Sequence, residues 1–511
     1  MDSRAALTFA GIAIGAFAVG TDFTGVMLLV PSIEADFDAD ITTTQWVLNI
    51  YALTFSMFMV AGGRLGDIRG HRRMMMVGFV IFIASSLGCF LAPGMGWLIA
   101  ARAVQGVGAA MLWPCLIAKG SMVQKDDPGL GVGIVLAGVT TGNVVGPILS
   151  GLVVTLDDWR LFFLVSAIVG TVAMAISFFL LEREHPQDVQ QKVDFGGIAV
   201  LSGAILALLV ALDQGTDWGW QSPRILALFV ACLALMAVFP FVEQRVKDPM
   251  IPLPLLGNRQ FLLALSANGF CVPAIFIAFL YFPQYMTKVF GWTVLQASYG
   301  MTPLMVLLAV GSLISGRFYK KFGPRRLLLA GFALLCVGSV SVLFLKPAHG
   351  YLGLLPSILT IGLGATLCVG PAGTATVSAV SAARAGLAGG LSFMVHLVIG
   401  AIGVATATAV MYIYSLGRLG EGLKTAGIDL SEADRRAING QAPDAEVVSG
   451  VVSKLASGQG DKLREVLTDS FAAGVSVSFW VAVIPAVIGL LAMLALDSEK
   501  LQGVDAAPAK T

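Results

Sequence analysis

Residues 63–73, GRLGDIRGHRR, return in altered form 253 residues later as GRFYKKFGPRR at residues 316–326. Each stretch is a short basic connection between two long apolar segments, and each half of the chain contains one. Two related halves, each with a positive loop at one membrane face, are a plan on which many membrane transporters are built. The repeat therefore predicts a duplicated, membrane-embedded architecture.

The composition also places this chain in a membrane. Of its 511 residues, 57% are hydrophobic and 12% are charged, with a mean hydropathy of +0.85, whereas soluble domains contain about 25% charged residues. A spanning helix needs roughly 20 mostly apolar residues. Fourteen such runs lie near residues 7–31, 44–63, 74–93, 97–118, 131–155, 161–181, 196–212, 224–242, 260–286, 295–315, 326–345, 351–379, 388–416 and 470–496.

Aligning the two basic hairpins matches the second and third runs with the tenth and eleventh, which leaves two runs over at the centre. The predicted fold is an all-α membrane protein made of two six-helix bundles and two extra central spans. The expected domains are an N-terminal bundle at 1–182, a linker with the inserted pair at 183–259, a C-terminal bundle at 260–496 with an outer loop at 417–469, and a cytoplasmic tail at 497–511.

The basic residues predict the topology. Most of them fall on the loops that share a side with the N-terminus, and the short opposite loops carry Arg160, Arg224, Lys288 and Lys346. Because loops rich in Lys and Arg stay in the cytoplasm, both termini are expected there. A multi-pass protein of the plasma or bacterial inner membrane is the expected location, with the lipid bilayer as a partner.

Asp22 is the first candidate for chemistry, since it lies near the middle of the first apolar run. A carboxylate inside a membrane is costly and is usually functional. A titratable group alone in a span suits proton coupling. The alternative is a carboxyl that only holds helices together.

Arg102 lies in the fourth run at a depth similar to that of Asp22, so that the two can pair or alternate. Gln105 and Trp113 share its helix face at 100° per residue. Trp113 can stack on an organic cation or serve only in packing. Gln105 and Trp113 are therefore candidates for lining a substrate cavity.

The first basic hairpin contains the candidate gating residues. We expect Gly63 and Gly70 to form a tight turn and Asp67 to lie at a helix end. Ordinary anchoring to anionic lipid accounts for the arginines but not for an acid among them. The gating candidates here are Gly63, Asp67, Arg69, Arg72 and Arg73, with Asp126 and Asp127 of the next cytoplasmic loop as possible partners of the arginines.

A stripe of small residues runs along the fifth span at Gly138, Gly142, Gly146 and Ser150. Small residues let another helix approach closely, and Pro147 bends the helix beside them. The combination predicts a hinge at the interface of the two bundles.

Other polar groups lie within spans. His396 is either a neutral, hydrogen-bonded core histidine or a second proton-coupling site, because its ordinary pKa is near neutral. Candidates for the substrate cavity are, besides Gln105 and Trp113, the side chains of Asn49, Asn143, Asn268, Gln284 and Phe393. Each can line a cavity or tie helices together.

At this point the motifs resemble those of a known family. The pattern G-x-L-G-D-x-R-G-x-R-R at 63–73 is similar to the signature loop of the major facilitator superfamily, and R-x-x-Q-G-x-G at 102–108 resembles its fourth-helix motif. G-x-x-x-G-P-x-x-S-G at 142–151 is similar to its antiporter motif, with Ser150 in place of glycine. Asp22-x-Thr24, with Pro31, Trp46 and Tyr51 after it, resembles the start of the fourteen-helix drug:proton antiporters.

The resemblance implies alternating access, in which Asp22 exchanges protons as a lipophilic, often cationic compound leaves, and in which Asp67 latches the closed cytoplasmic side. Departures are Met27, where asparagine is usual, and His396, where arginine is common. A second reading keeps the fold for export or flipping of an endogenous lipid, amino acid or secondary metabolite.

Other classes of function are disfavoured. The sequence has no phosphate loop of the form GxxxxGK[ST], as an ATP-driven pump requires, and no group of acids and histidines that would suggest an enzyme. We expect a protein that acts as a monomer on small molecules and protons, driven by the proton gradient, with no cofactor, no metal and no nucleic-acid partner.

Overall fold

The computed structural model confirms an all-helical chain. It describes residues 3–39, 41–123, 128–156, 158–182, 194–246, 249, 251–381, 384–439, 446–453, 455 and 459–497. The predicted cytoplasmic tail and the loop acids Asp126 and Asp127 fall outside these ranges, apart from Asp497.

The first half of the chain consists of seven helices and the inserted pair. They are α1 (Ser3–Gly25), α2 (Val30–Phe37), α3 (Ile41–Arg69), α4 (His71–Phe90), α5 (Met95–Val123), α6 (Pro128–Val154), α7 (Arg160–Leu180), α8 (Phe195–Trp218) and α9 (Pro223–Glu243). A short 3₁₀ turn, Val26–Leu29, joins α1 to α2, so that these elements form one membrane crossing.

The second half contains both spanning and short helices. They are α10 (Leu253–Leu256), α11 (Arg259–Phe270), α12 (Val272–Lys288), α13 (Val294–Leu343), α14 (Gly350–Ser378), α15 (Ala385–Ala426), α16 (Glu432–Ile438), α17 (Glu446–Val452), α18 (Gln459–Ser478) and α19 (Trp480–Met493).

The number of crossings depends on how α13 is divided. Thirteen helical segments of the described part are long and apolar enough to span a membrane. However, α13 has 50 residues, or about 75 Å, which exceeds twice the roughly 30 Å of a bilayer core. Gly323 interrupts it with a φ of 74°. Division at Gly323 gives two arms, and the count then agrees with the fourteen predicted runs.

The two basic hairpins keep the same geometry. Gly70 has a φ of 92° and Gly323 a φ of 74°, values that favour glycine because it has no Cβ. Two residues after each glycine, an arginine donates to a backbone carbonyl at the C-terminal end of the last spanning helix of its bundle, which is α7 in the first half and α19 in the second. Arg72 Nη2 lies 2.6 Å from Phe178 O, and Arg325 Nη2 lies 2.8 Å from Leu494 O. A cation at a helix C-terminus is electrostatically favourable.

Helices α8 and α9 form a separate hairpin beside the bundles. α8 packs on α3 and α15, whereas α9 packs mainly on α8 and exposes apolar side chains such as Leu226, Val230 and Leu233. Within a membrane such a surface faces lipid. Ser202 of α8 donates to Met57 O of α3 at 2.9 Å.

The predicted outer loop contains short helices. The C-terminal end of α15 extends beyond the predicted span and packs with α16, α17 and α18 around a small apolar core. The members of this core include Leu419, Leu423, Ile438, Val448 and Leu463, all nearly fully buried.

The glycine stripe of α6 faces α1 of the same bundle, whereas α6 as a whole also packs on α13 of the second bundle, so the hinge between the bundles stays a prediction. A Cβ on Gly138, Gly142 or Gly146 would lie 2.5, 2.3 or 2.6 Å from the carbonyl oxygens of Ala13, Phe17 and Thr21, respectively. Glycines on both helices allow this approach, since Gly20 of α1 meets Val139 O in return. The close fit makes α1 and α6 one packed unit. Pro147 lies inside α6.

This close packing makes a stability prediction. Gly142→Val places a branched side chain against the α1 backbone and should destabilise the protein by about 1–3 kcal/mol, as overpacked cores do. Gly151→Val, on the same helix, is the matched control because nothing lies within 4 Å of its Cβ position. Thermal unfolding in detergent measures both variants. Equal melting temperatures would contradict the packing argument.

Candidate functional site

A buried carboxylate and a buried guanidinium form the centre of the first bundle. Asp22 of α1 is 0% exposed and Arg102 of α5 is 1% exposed. Arg102 Nη1 lies 2.5 Å from Asp22 Oδ2. Gln105, one helical turn after Arg102, donates from Nε2 to Asp22 Oδ1 at 3.0 Å and accepts from Arg102 Nη1 at 2.7 Å. The structure thus brings three predicted residues together.

Neighbouring helices hold this triad in place. Arg102 Nε donates to Val47 O of α3 at 3.0 Å, and the guanidinium lies 4.2 Å from the ring centroid of Tyr51. Gln105 Nε2 also donates to Ser86 Oγ of α4 at 2.8 Å. Four helices therefore meet at one ion pair. Ser86 was missed by sequence reasoning because serine is common in membrane helices and gives no distinctive signal.

The arrangement can respond to a proton. A buried ion pair is stable only when its charges compensate one another and the remaining polar atoms are bonded. Protonation of Asp22 removes one charge and leaves Arg102 with Gln105 and Val47 O. The electrostatic link between α1 and α5 then weakens, while the links from α5 to α3 persist.

A series of aromatic rings leads from this pair towards the second bundle. The Tyr51 and Phe55 centroids are 5.8 Å apart, Phe55 and Phe393 are 5.8 Å apart, and Phe393 and His396 are 5.4 Å apart with planes at 6°. Trp113 also packs against Phe393 at 4.5 Å and is 1% exposed. Trp113 is therefore covered in this conformation. The series joins α3 of one bundle to α15 of the other.

Asp67 caps a helix of the opposite bundle. Its Oδ1 accepts from Gly386 N at 2.8 Å and its Oδ2 accepts from Leu387 N at 2.7 Å. These are among the first amides of α15, which a local N-cap side chain usually binds. The residue at the cap position is Arg384, which has no acceptor to offer. Asp67 supplies both the acceptor and the negative charge that a helix N-terminus favours.

Gly63 serves a close helix contact and not a turn, contrary to expectation. It lies within α3, where a Cβ would be 2.2 Å from Gly386 O. The left-handed turn is made by Gly70 alone in this hairpin. The glycine of α15 that faces Gly63 is Gly386, which sequence reasoning missed. The run GLAGG at 386–390 is the signal that could have revealed it.

The other hairpin residues divide by environment. Arg69 and Arg73 are exposed, whereas Arg72 bonds the end of α7. His71, which was not singled out from the sequence, lies with Nε2 3.3 Å from Asp67 Oδ1. The proposed partners Asp126 and Asp127 lie outside the described residues.

Asn49 and Asn268 tie helices together in this structure. Asn49 Nδ2 donates to both carboxylate oxygens of Asp213 on α8, at 2.8 and 2.9 Å. Asn268 Nδ2 donates to Ser392 Oγ and, at 3.5 Å, to Thr376 Oγ1. Asp213 was missed because it directly follows the predicted run at 196–212. Asn49 is about 200° around α3 from Val47, so it faces away from the ion pair.

Asn143 and Gln284 do not contact the ion pair through any bond seen in the described part of the chain. Asn143 lies on α6 beside α1, where its backbone oxygen accepts from Thr24 Oγ1 at 3.0 Å. Gln284 is half-buried on α12. Among the described residues, no group of three or more His, Cys, Asp or Glu side chains could hold a metal ion.

The fold and the site together define a class. Two helical bundles that repeat one basic hairpin, and that pack together through aromatic side chains and the Asp67 cap, match the repeat architecture of secondary transporters. The family model of the Major Facilitator Superfamily matches residues 12–404. The chain belongs to this superfamily, and it is a multi-pass membrane transporter and not an enzyme.

Its relatives include drug-resistance proteins. The chain is 29% identical to the tetracenomycin C resistance and export protein of Streptomyces glaucescens, over 98% of this chain and 93% of that protein. It is 30% identical to the puromycin resistance protein pur8 of Streptomyces alboniger, over 75% and 77%. The solved structure of the proton:xylose symporter XylE has a TM-score of 0.62 at 14% identity, over 98% and 99% of the two chains, and supports the fold.

Removal of one partner of the buried pair should be costly. Arg102→Ala leaves Asp22 as an uncompensated buried charge, for which about 3–5 kcal/mol of destabilisation is typical. Adding Asp22→Asn to Arg102→Ala should restore much of this loss. Thermal unfolding in detergent measures the effect, with the exposed Arg73→Ala as control. A double variant as unstable as Arg102→Ala would contradict charge compensation as the cause.

Proposed function

We propose that this chain is a proton-coupled exporter of lipophilic, often cationic compounds, working by alternating access. The single observation that carries the proposal is Asp22, a fully buried carboxylate in α1 whose side-chain partners are Arg102 and Gln105. Two drug-resistance relatives, one of them an export protein by its description, support the class of cargo.

The proposed coupling follows from charge. In the deprotonated state Asp22 holds Arg102, and through it α1, α5 and α3 form one unit. A proton arriving from outside neutralises Asp22 and weakens that link. The bundle can then change its packing, and release of the proton to the cytoplasmic side restores the pair. Export against a gradient takes its energy from this exchange.

The proposed gate is the contact between Asp67 and the N-terminus of α15. The capped amides, the buried Asp67 side chain and the glycine contact at Gly63 and Gly386 all lie between the two bundles. Rocking of the bundles must break these contacts for the cytoplasmic side to open. The basic hairpins support a cytoplasmic position for this face and for both termini.

Asp22→Asn should abolish both dye export and proton exchange and leave the protein folded, though less stable, because the amide still accepts from Arg102 but neither titrates nor compensates its charge. Purified protein in proteoliposomes with an imposed pH gradient provides the assay, with a fluorescent lipophilic cation as cargo. The control is Asp38→Asn, at an exposed position between α2 and α3. Dye/proton exchange at the wild-type rate by the Asp22 variant would contradict the assignment of Asp22 to proton coupling.

Asp67→Asn should favour opening of the cytoplasmic side. Hydrogen bonds to a charged group contribute about 1.5–3 kcal/mol, so the open population should rise roughly tenfold or more. The readout is the labelling rate of Ala388→Cys, a fully buried position on α15, in a background without other cysteines. Inside-out vesicles and an impermeant maleimide restrict labelling to this face.

Asp38→Asn again serves as control for the labelling experiment, since it removes an acid that is remote in sequence from the gate. Faster labelling in the Asp67 variant alone supports the latch. An unchanged rate would show that the capping bonds do not hold the bundles closed.

A further inference from the structure

His396 lies where the aromatic series ends on the second bundle. Its ring is nearly parallel to that of Phe393, at 6° and 5.4 Å between centroids, and Phe276 of α12 meets it edge-on at 5.6 Å. The side chain is half-buried. It therefore sits between two helices of the second bundle, with part of its surface open.

The hydrogen bonds of Asn49, Asn268 and His396 differ. Asn49 and Asn268 bond other side chains and are satisfied by the protein. His396 makes no hydrogen bond to any residue within the described ranges, and its ring packs there against two aromatic rings. A neutral imidazole has one N–H donor and one acceptor nitrogen.

A polar group in an apolar, partly enclosed environment needs a partner. Asp22 does not supply it, since Asp22 is bonded to Arg102 and Gln105 on the first bundle. Since the side chain is half-buried, part of its surface is left for a molecule bound beside it. The aromatic neighbours favour a planar ring system in that molecule.

We propose that His396 is a specificity-determining residue that selects aromatic substrates carrying a hydrogen-bond donor on a ring substituent. This inference rests on the proposed export function and assigns His396 to the substrate and not to the proton. The aromatic side chains Phe55, Phe393 and Phe276 contribute apolar contact, and the imidazole contributes the polar one. Among otherwise similar compounds, His396 favours those that can donate a hydrogen bond to its imidazole.

Two dyes with the same ring test this assignment. Both dyes carry the same ring N–H as cations. Proflavine also carries free amino groups, whereas the dimethylamino groups of acridine orange cannot donate. In proteoliposomes with a pH gradient, His396→Phe should raise the KM for proflavine roughly tenfold with little change in maximal rate, since a lost net hydrogen bond has about that effect. The KM for acridine orange should change much less.

Two further variants isolate the role of the imidazole. His396→Asn keeps a donor and an acceptor and should retain most of the preference for proflavine. His349→Phe, at an exposed position in the short turn before α14, is the matched control and should change neither dye. Proton exchange per dye molecule should stay at the wild-type value in every variant.

Equilibrium binding of each dye to detergent-purified protein, followed by fluorescence anisotropy, separates this inference from the export proposal. If wild-type protein transports neither dye but binds proflavine in a His396-dependent way, the export proposal is contradicted and the contact between His396 and the dye is supported. If wild-type protein exports both dyes and His396→Phe alters their KM values equally, or leaves proflavine binding unchanged, the specificity assignment is overturned. Loss of proton exchange in His396→Phe with intact binding also overturns it and assigns the residue to coupling.

Discussion

The burial of one carboxylate within the membrane constrains the first bundle more than any other interaction. Asp22 is fully enclosed, and a charge in such a place needs both a counter-charge and hydrogen-bond donors. Arg102 and Gln105 supply them from a single turn of α5. Arg102 in turn requires Val47 O and the face of Tyr51. Helices α1, α3 and α5 therefore all contact one buried ion pair.

Glycine contacts bring two of these helices close to other parts of the fold. α1 meets α6 through glycines on both sides, and α3 meets α15 through Gly63 and Gly386. The two contacts differ in consequence. The first lies within the first bundle and joins α1 to α6. The second lies between bundles and carries the bonds of Asp67, so that a side chain of any size at Gly63 would separate the halves.

The duplicated hairpins show which part of a repeat is kept and which diverges. Arg72 and Arg325 make the same bond to the end of the sixth helix in their respective bundles. Position 67 is an acid, and the equivalent position is Lys320. The anchoring of the hairpin is thus common to both halves. The capping of the opposite bundle by a carboxylate, with its charge matched to a helix N-terminus, belongs to the first hairpin.

Some features could be predicted because they depend on local chemistry. Depth in the membrane and helical spacing grouped Asp22, Arg102 and Gln105. The basic residues around Gly70 indicated that this glycine lies in a hairpin turn. Others could not. Asp213 follows an apolar run and becomes notable only when α8 lies beside Asn49. The stripe at Gly138, Gly142 and Gly146 indicated a close contact but not its partner, because small residues are compatible with any helix that approaches.

By itself, the sequence determined the membrane class, the helical fold, the count of crossings and the superfamily, because composition, apolar length and motif spacing are properties of the chain in one dimension. Only the tertiary structure decided that Asp67 binds the amides of α15, that Asn49 turns away from the ion pair, and that His396 stacks on Phe393 without a hydrogen-bond partner in the described residues. These facts depend on which helices become neighbours, and short-range packing between distant segments sets that choice.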